Sequence, residues 1–71
     1  MTKDAFLLRL QEEVQIEQTL KETDILEDIP EWDSLAMLAV LSVFDENGSS
    51  IEVSELDECK SIHDILKKAG F

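Results

Sequence analysis

Between Leu35 and Leu41 every residue is apolar, and after a single serine Val43 and Phe44 continue the run. Asp33 stands at its head and Asn47-Gly48 at its tail. Aspartate is a good N-cap, its carboxylate accepting from the free amides two or three residues on. Asparagine or glycine suits the left-handed position just past a helix. The stretch therefore reads as a helix from Ser34 to about Glu46. It is apolar nearly all the way round, so it must be covered on most sides or present an apolar contact surface. Trp32 and Met37 take the N′ and N4 positions of a hydrophobic staple, which sets the angle at which the chain joins the helix.

The rest of the chain has to supply that cover, and it is short. Seventy-one residues lie near the lower limit for a domain resting on one hydrophobic core. Thr2 or Asp4 can cap a first helix over about residues 3 to 15. In it Phe6, Leu7, Leu10 and Val14 recur at helical spacing, with Arg9, Gln11, Glu12 and Glu13 on the other face. From 16 to 33 the apolar anchors Ile16, Leu20, Ile25, Leu26 and Ile29 are scattered among charges, and Pro30 forbids helix just before it. This is read as a long loop packed over the domain, with a short helical turn. Beyond the central helix, Ile51 and Val53 belong to an irregular piece, and Ser54 is taken as the cap of a single turn through Glu58. Ser61 caps a last helix, with Asp64 as the acid of a capping box and Ile62, Ile65, Leu66 and Ala69 on its inner face. Lys67 and Lys68 oppose the negative end of its dipole, and Gly70 follows. The expected architecture is all-α: a small four-helix bundle, three helices long and one short, with a long loop between helices 1 and 2. Residues 1–71 form one domain.

Charge narrows the function classes. Seventeen acids against six bases give a formal net charge of −11. Nine of the acids fall between Glu12 and Asp33, opposed only by Lys21. Nucleic acids and anionic membrane surfaces both call for a basic face, so both are disfavoured. Basic protein partners, steered by long-range attraction, fit better. Solubility alone is the plainer reading of the same acids. A single cysteine, Cys59, permits no internal disulfide and points to a reducing compartment. The apolar run near the N-terminus is too short for a signal peptide and no run reaches membrane-spanning length, so a cytoplasmic location is expected.

Few residues offer chemistry. Ser34 takes the first position of the central helix, where the dipole is positive and an esterified phosphate would be stabilised. Its simpler reading is a helix start and nothing more. The segment Asp45-Glu46-Asn47-Gly48-Ser49 has calcium-loop residues in the wrong register. A loop begun at Asp45 puts Ser50 where the glycine belongs and Leu56 where the bidentate glutamate belongs. Cys59 and His63 are four apart, but Ser61 starts a new helix between them and no third group is apparent. A structural cysteine and a surface histidine are the expectation. No catalytic set emerges, so the chain is not expected to be an enzyme.

Asp33-Ser34-Leu35 at the head of a mid-chain apolar helix resembles the attachment motif of acyl carrier proteins. The loop run Thr23-Asp24-Ile25-Leu26-Glu27-Asp28-Ile29, the helix order, the length and the acidity resemble that family too. The resemblance implies 4′-phosphopantetheine, derived from coenzyme A, esterified to Ser34 and holding an acyl or aminoacyl group as a thioester. It implies that Asp33 positions the helix start, that Leu35 and Leu38 contact partners beside the arm, and that the chain is a monomer. The implied partners are a phosphopantetheinyl transferase and acyl- or aminoacyl-transferring or ligating enzymes with basic surfaces. For a fatty cargo an apolar interior is needed, for which Leu38, Leu41, Ile51, Leu56, Ile62 and Leu66 are the candidates. Each of them also reads as ordinary core.

The chain departs from the family's pattern as well. Ala36, Ala39 and Ser42 stand two, five and eight residues after Ser34, where fatty-acid carriers often have outward-facing acids, and Glu31-Trp32-Asp33 replaces an approach that frequently contains glycine. These departures argue for a dedicated carrier of one pathway, such as secondary metabolism, surface-polysaccharide modification or aminoacyl activation. An acidic helical interaction module without a prosthetic group, of inhibitor or antitoxin type, is the alternative.

Overall fold

A computed structural model describes residues 1–71 and is all-helical. Helix α1 (Lys3–Val14) leads into a long connection carrying one 3-10 turn (Leu26–Asp28). Then follow α2 (Ser34–Glu46), α3 (Val53–Glu58) and α4 (Ile62–Lys68). No helix is long and apolar enough to cross a membrane.

The core forms where α1 meets α2. From α1 come Phe6, Leu10 and Val14; from α2 come Ala36, Val40, Val43 and Phe44, all buried at helical spacing. The Phe6 and Phe44 rings meet edge-to-face, centroids 5.3 Å apart at 83°. Such a pair contributes about 0.5–1.5 kcal/mol beyond the area it buries. Phe71 also packs against Phe6, ring centroids 5.4 Å apart and tilted by 56°. Leu56 of α3 and Ile62, Ile65 and Leu66 of α4 complete the same cluster.

Backbone bonds hold down the long connection. Its residues Ile16, Leu20, Leu26 and Ile29 are buried, as expected, but Ile25 is 43% exposed. Ile25 contributes through its backbone instead, forming an isolated antiparallel bridge with Ser61. Around it the Leu26 amide donates to Lys60 O, Ile62 to Asp24 O and His63 to Glu22 O, each at 2.9 Å. Ile62 and His63 are the first two residues of α4, whose amides have no intrahelical acceptor. The loop carbonyls supply those acceptors, so the loop and α4 complete one another.

The cap residues Thr2 and Ser61 follow the sequence; the capping-box bond expected of Asp64 and the cap of α3 do not. Thr2 Oγ1 accepts from the Ala5 amide at 3.1 Å, which selects Thr2 over Asp4. Ser61 Oγ accepts from Asp64 N at 3.3 Å, while Asp64 Oδ2 reaches back to accept from Lys60 N at 3.0 Å. For α3 the expected cap is wrong. The helix starts one residue before Ser54, with Glu52 at the cap position, and Glu55 Oε1 accepts from the Glu52 amide at 3.3 Å. That return bond from the third helical residue draws the helix start back past Ser54.

Two helices end on glycine. Gly48 (φ 79°) follows α2 and Gly70 (φ 95°) follows α4. Each is flanked by the paired return bonds of a Schellman motif, Ser49 N to Phe44 O at 3.1 Å and Phe71 N to Leu66 O at 2.9 Å. Asn47 Nδ2 donates to Ala69 O at 3.2 Å and ties the two ends together. Helix α1 ends the same way, Ile16 N donating to Gln11 O at 2.9 Å, but its left-handed residue is Gln15 (φ 62°). A Cβ in that conformation costs energy that glycine avoids. Gln15→Gly is therefore expected to stabilise the fold by up to about 1 kcal/mol, a rise in Tm of roughly 4–8 °C in thermal unfolding. An unchanged or lower Tm would show that the left-handed turn carries no strain.

Candidate functional site

The approach to Ser34 is held from several directions. Ile29 is buried, and Trp32 packs half-buried against the core, as does Met37 one turn into α2. Both members of the expected staple thus sit against the same cluster. The Trp32 amide donates to Ile29 O at 3.0 Å, and Glu31 Oε2 accepts from Glu17 N at 3.2 Å. From the sequence Glu31 reads only as part of the approach to Ser34, with no partner of its own. Its partner lies fourteen residues away across the loop, and only the fold brings them together.

Asp33 is extended (φ −123°), and its Oδ1 accepts from the Ala36 amide at 3.0 Å. It is the N-cap expected. With Ala36 satisfied, the amides of Ser34 and Leu35 remain without an acceptor in the chain at the positive end of a thirteen-residue helix. Asp33, Ser34 and Leu35 are all exposed. Ser34 is thus open to solvent at a helix start where two backbone amides lack a partner in the chain.

Beside this end of α2 the surface is apolar. Leu35 is 77% and Leu38 65% exposed, one turn apart. Ser42 and Asp45 continue the exposed side of the helix. Ala36 is buried and Ala39 half-buried, so these two positions, expected on the outer face, lie against the bundle. Spacing along a helix apolar all round does not by itself say which residues turn outward.

The six candidate cavity residues do not surround a common space. Leu56, Ile62 and Leu66 are fully packed core, Leu41 and Ile51 are half-buried, and Leu38 projects outward. None of them lines any of the four surface grooves. Cys59 caps the end of α3, nearly buried, its thiol 3.5 Å from Glu55 O. Burial pushes that thiol above the usual cysteine range. His63 lies exposed at the start of α4. The structural reading of both residues fits these positions.

Three of the six cations are engaged in ion pairs. Lys3 meets Glu22 at 2.6 Å and Lys68 meets Glu55 at 3.7 Å. Arg9 grips Glu46 with two bonds, Nε to Oε1 at 2.9 Å and Nη2 to Oε2 at 2.8 Å, and also reaches Glu12 and Glu13. The Glu12 and Glu13 pairings follow from helical spacing. Glu46, thirty-seven residues away, does not. The bidentate bond fastens the middle of α1 to the end of α2 and holds the Glu46 carboxyl below the usual glutamate range.

Comparison with family models, with curated proteins and with solved structures yields no match to this chain.

Two outcomes follow from this geometry. Asp33→Ala is expected to cost about 1 kcal/mol in urea unfolding, and Asp33→Asn, which keeps an acceptor, far less. Equal losses would mean that the cap bond does not hold the start of α2. For Glu46 the folded pKa is depressed, so its contribution is present above the unfolded value and lost as pH falls through the folded one. The Tm advantage of the wild type over Glu46→Gln should thus shrink as the pH falls through and below the usual glutamate range. A difference that does not change with pH would assign the effect to packing.

Proposed function

We propose that this chain is an acyl or aminoacyl carrier protein, with 4′-phosphopantetheine esterified to Ser34. One observation carries the reading. Ser34 is an exposed hydroxyl at the first position of a capped, rigidly packed helix, beside two amides free to hold a phosphate. The resemblance of Asp33-Ser34-Leu35 and its surroundings to the carrier family supplies the identity of the phosphate.

In this reading the Ser34 hydroxyl attacks the pantetheine-bearing phosphorus of coenzyme A. A new O–P bond forms, the bridging P–O bond to the second phosphate breaks, and 3′,5′-ADP leaves as the hydroxyl proton passes to base. Asp33 fixes the helix start, with its side chain as cap. The protein makes and breaks no bonds of the cargo. It presents the arm from a fixed point and lets partner enzymes act.

The partners have basic surfaces: first a phosphopantetheinyl transferase, then enzymes that transfer or ligate acyl or aminoacyl groups. A charge of −11 favours their approach. Leu35 and Leu38 give them an apolar contact beside the arm, and Ala36, Ala39 and Ser42 supply none of the acids that a general fatty-acid carrier often shows along this helix. That difference supports a carrier dedicated to one pathway in the cytoplasm.

Incubation with coenzyme A, magnesium and a broad-specificity transferase is expected to add one phosphopantetheine unit to the intact mass, and nothing to Ser34→Ala. No gain on the folded wild type with several transferases would contradict the proposal. It would favour an acidic interaction module that uses the same exposed leucines and carboxylates without a prosthetic group.

A further inference from the structure

Of the four surface grooves, one adjoins Ser34. It holds about 370 Å³, and its walls include both neighbours of the serine, Asp33 and Leu35. The other three grooves touch neither of them. Across from Leu35 lie Val14, where α1 ends, and Ala36 and Ala39 on α2. Val14 and Ala36 are buried and Ala39 is half-buried, so what they offer the groove is methyl surface.

The polar walls differ in what they still lack. Glu13 is engaged by Arg9, and Asp33 caps α2. Glu31 Oε2 accepts from the Glu17 amide, but its Oε1 is covered and has no hydrogen-bond partner. A covered carboxylate oxygen left unpaired is costly, and such atoms are rare in folded proteins. The last torsion of a glutamate side chain is soft, so a small rotation turns that oxygen toward a donor in the groove. Apolar walls with one polar group short of a partner suit an uncharged ligand that carries N–H groups.

Resting on the carrier reading, we infer that this groove between α1 and α2 is the resting site of the chain's own phosphopantetheine arm. Beyond its phosphate the arm is uncharged, with methylene and gem-dimethyl groups set between amides. Val14, Leu35, Ala36 and Ala39 meet its hydrocarbon, and Glu31 Oε1 accepts an amide N–H. Attachment at Ser34 keeps the arm at a high effective concentration beside the groove, so weak contacts are enough to order it.

The test loads the full chain from coenzyme A with a broad-specificity transferase. Intact mass is read first, and NMR then compares the loaded and unloaded forms. The expected result is a set of nuclear Overhauser cross-peaks from the gem-dimethyl protons of the arm to the methyls of Val14 and Ala39. One arm amide proton should also move downfield of its position in free pantetheine. In loaded Ala39→Leu, where a larger side chain fills the groove, the cross-peaks to Val14 should be lost. In loaded Glu31→Gln, which keeps the size of the side chain but not its charge, the amide proton should move back upfield. A mass gain on the wild type with shift changes confined to residues 33 to 36 would show an arm free in solvent. That result, or cross-peaks to Ile62 and Leu66 in place of Val14, would overturn the inference and leave the carrier reading standing. Absence of any mass gain on the folded wild type would remove the carrier reading, and the resting site with it.

Discussion

The edge of Phe6 set against Phe44 lies at the centre of a chain with little apolar surface to spare. A domain of this size buries only about 60% of the surface its unfolded chain exposes, so a small number of contacts must dominate its stability. Burial of one such side chain contributes roughly 1.5–3 kcal/mol, and its truncation to alanine typically costs 3–5 kcal/mol. Helix α2 is apolar on nearly every side, and α1 covers the face that carries Val40, Val43 and Phe44. With α2 fixed against α1, the loop, α3 and α4 close over the remaining sides. The outer stripe of Leu35 and Leu38 is what is left uncovered.

Charge acts against this packing rather than for it. Seventeen carboxylates on a small body repel one another, and only three of the six cations are engaged in ion pairs. Exposed pairs of that kind contribute little on average. The Arg9–Glu46 bond differs in geometry, since its fork links two helices across the core contact rather than neighbours on one helix. The remaining acids add nothing to the packing, and in the carrier reading proposed above they serve the approach of partners. A basic partner would neutralise them, and the exposed leucines beside Ser34 would be covered in the same event.

What the sequence disclosed was whatever local chemistry decides. The start of α2 was legible because Asp33, an apolar run and a preceding proline act within a few residues of one another, and its end because Asn47-Gly48 does the same. Ser61 as a cap was legible for that reason too, and Thr2 as one of two candidates beside Asp4. The cap of α3 was misplaced at Ser54 because the deciding bond runs to the Glu52 amide from Glu55, further along the helix. The stitching of the loop to α4 lay out of reach, since Leu26 and Lys60 are joined only when the chain has folded. The site divides along the same line. Ser34, Asp33 and Leu35 are exposed at a helix start, as read, while Leu38 was assigned both to an interior and to a docking face, and only the fold chose between them.

The central claim is that Ser34 is an attachment point rather than a helix start alone. Its most direct test is top-down mass spectrometry of the chain isolated from cells that make it naturally, with fragmentation across Asp33, Ser34 and Leu35. A phosphopantetheine group localised to Ser34 is the result expected. An unmodified Ser34 in cells whose transferases are active, or a modification at another residue, would contradict it.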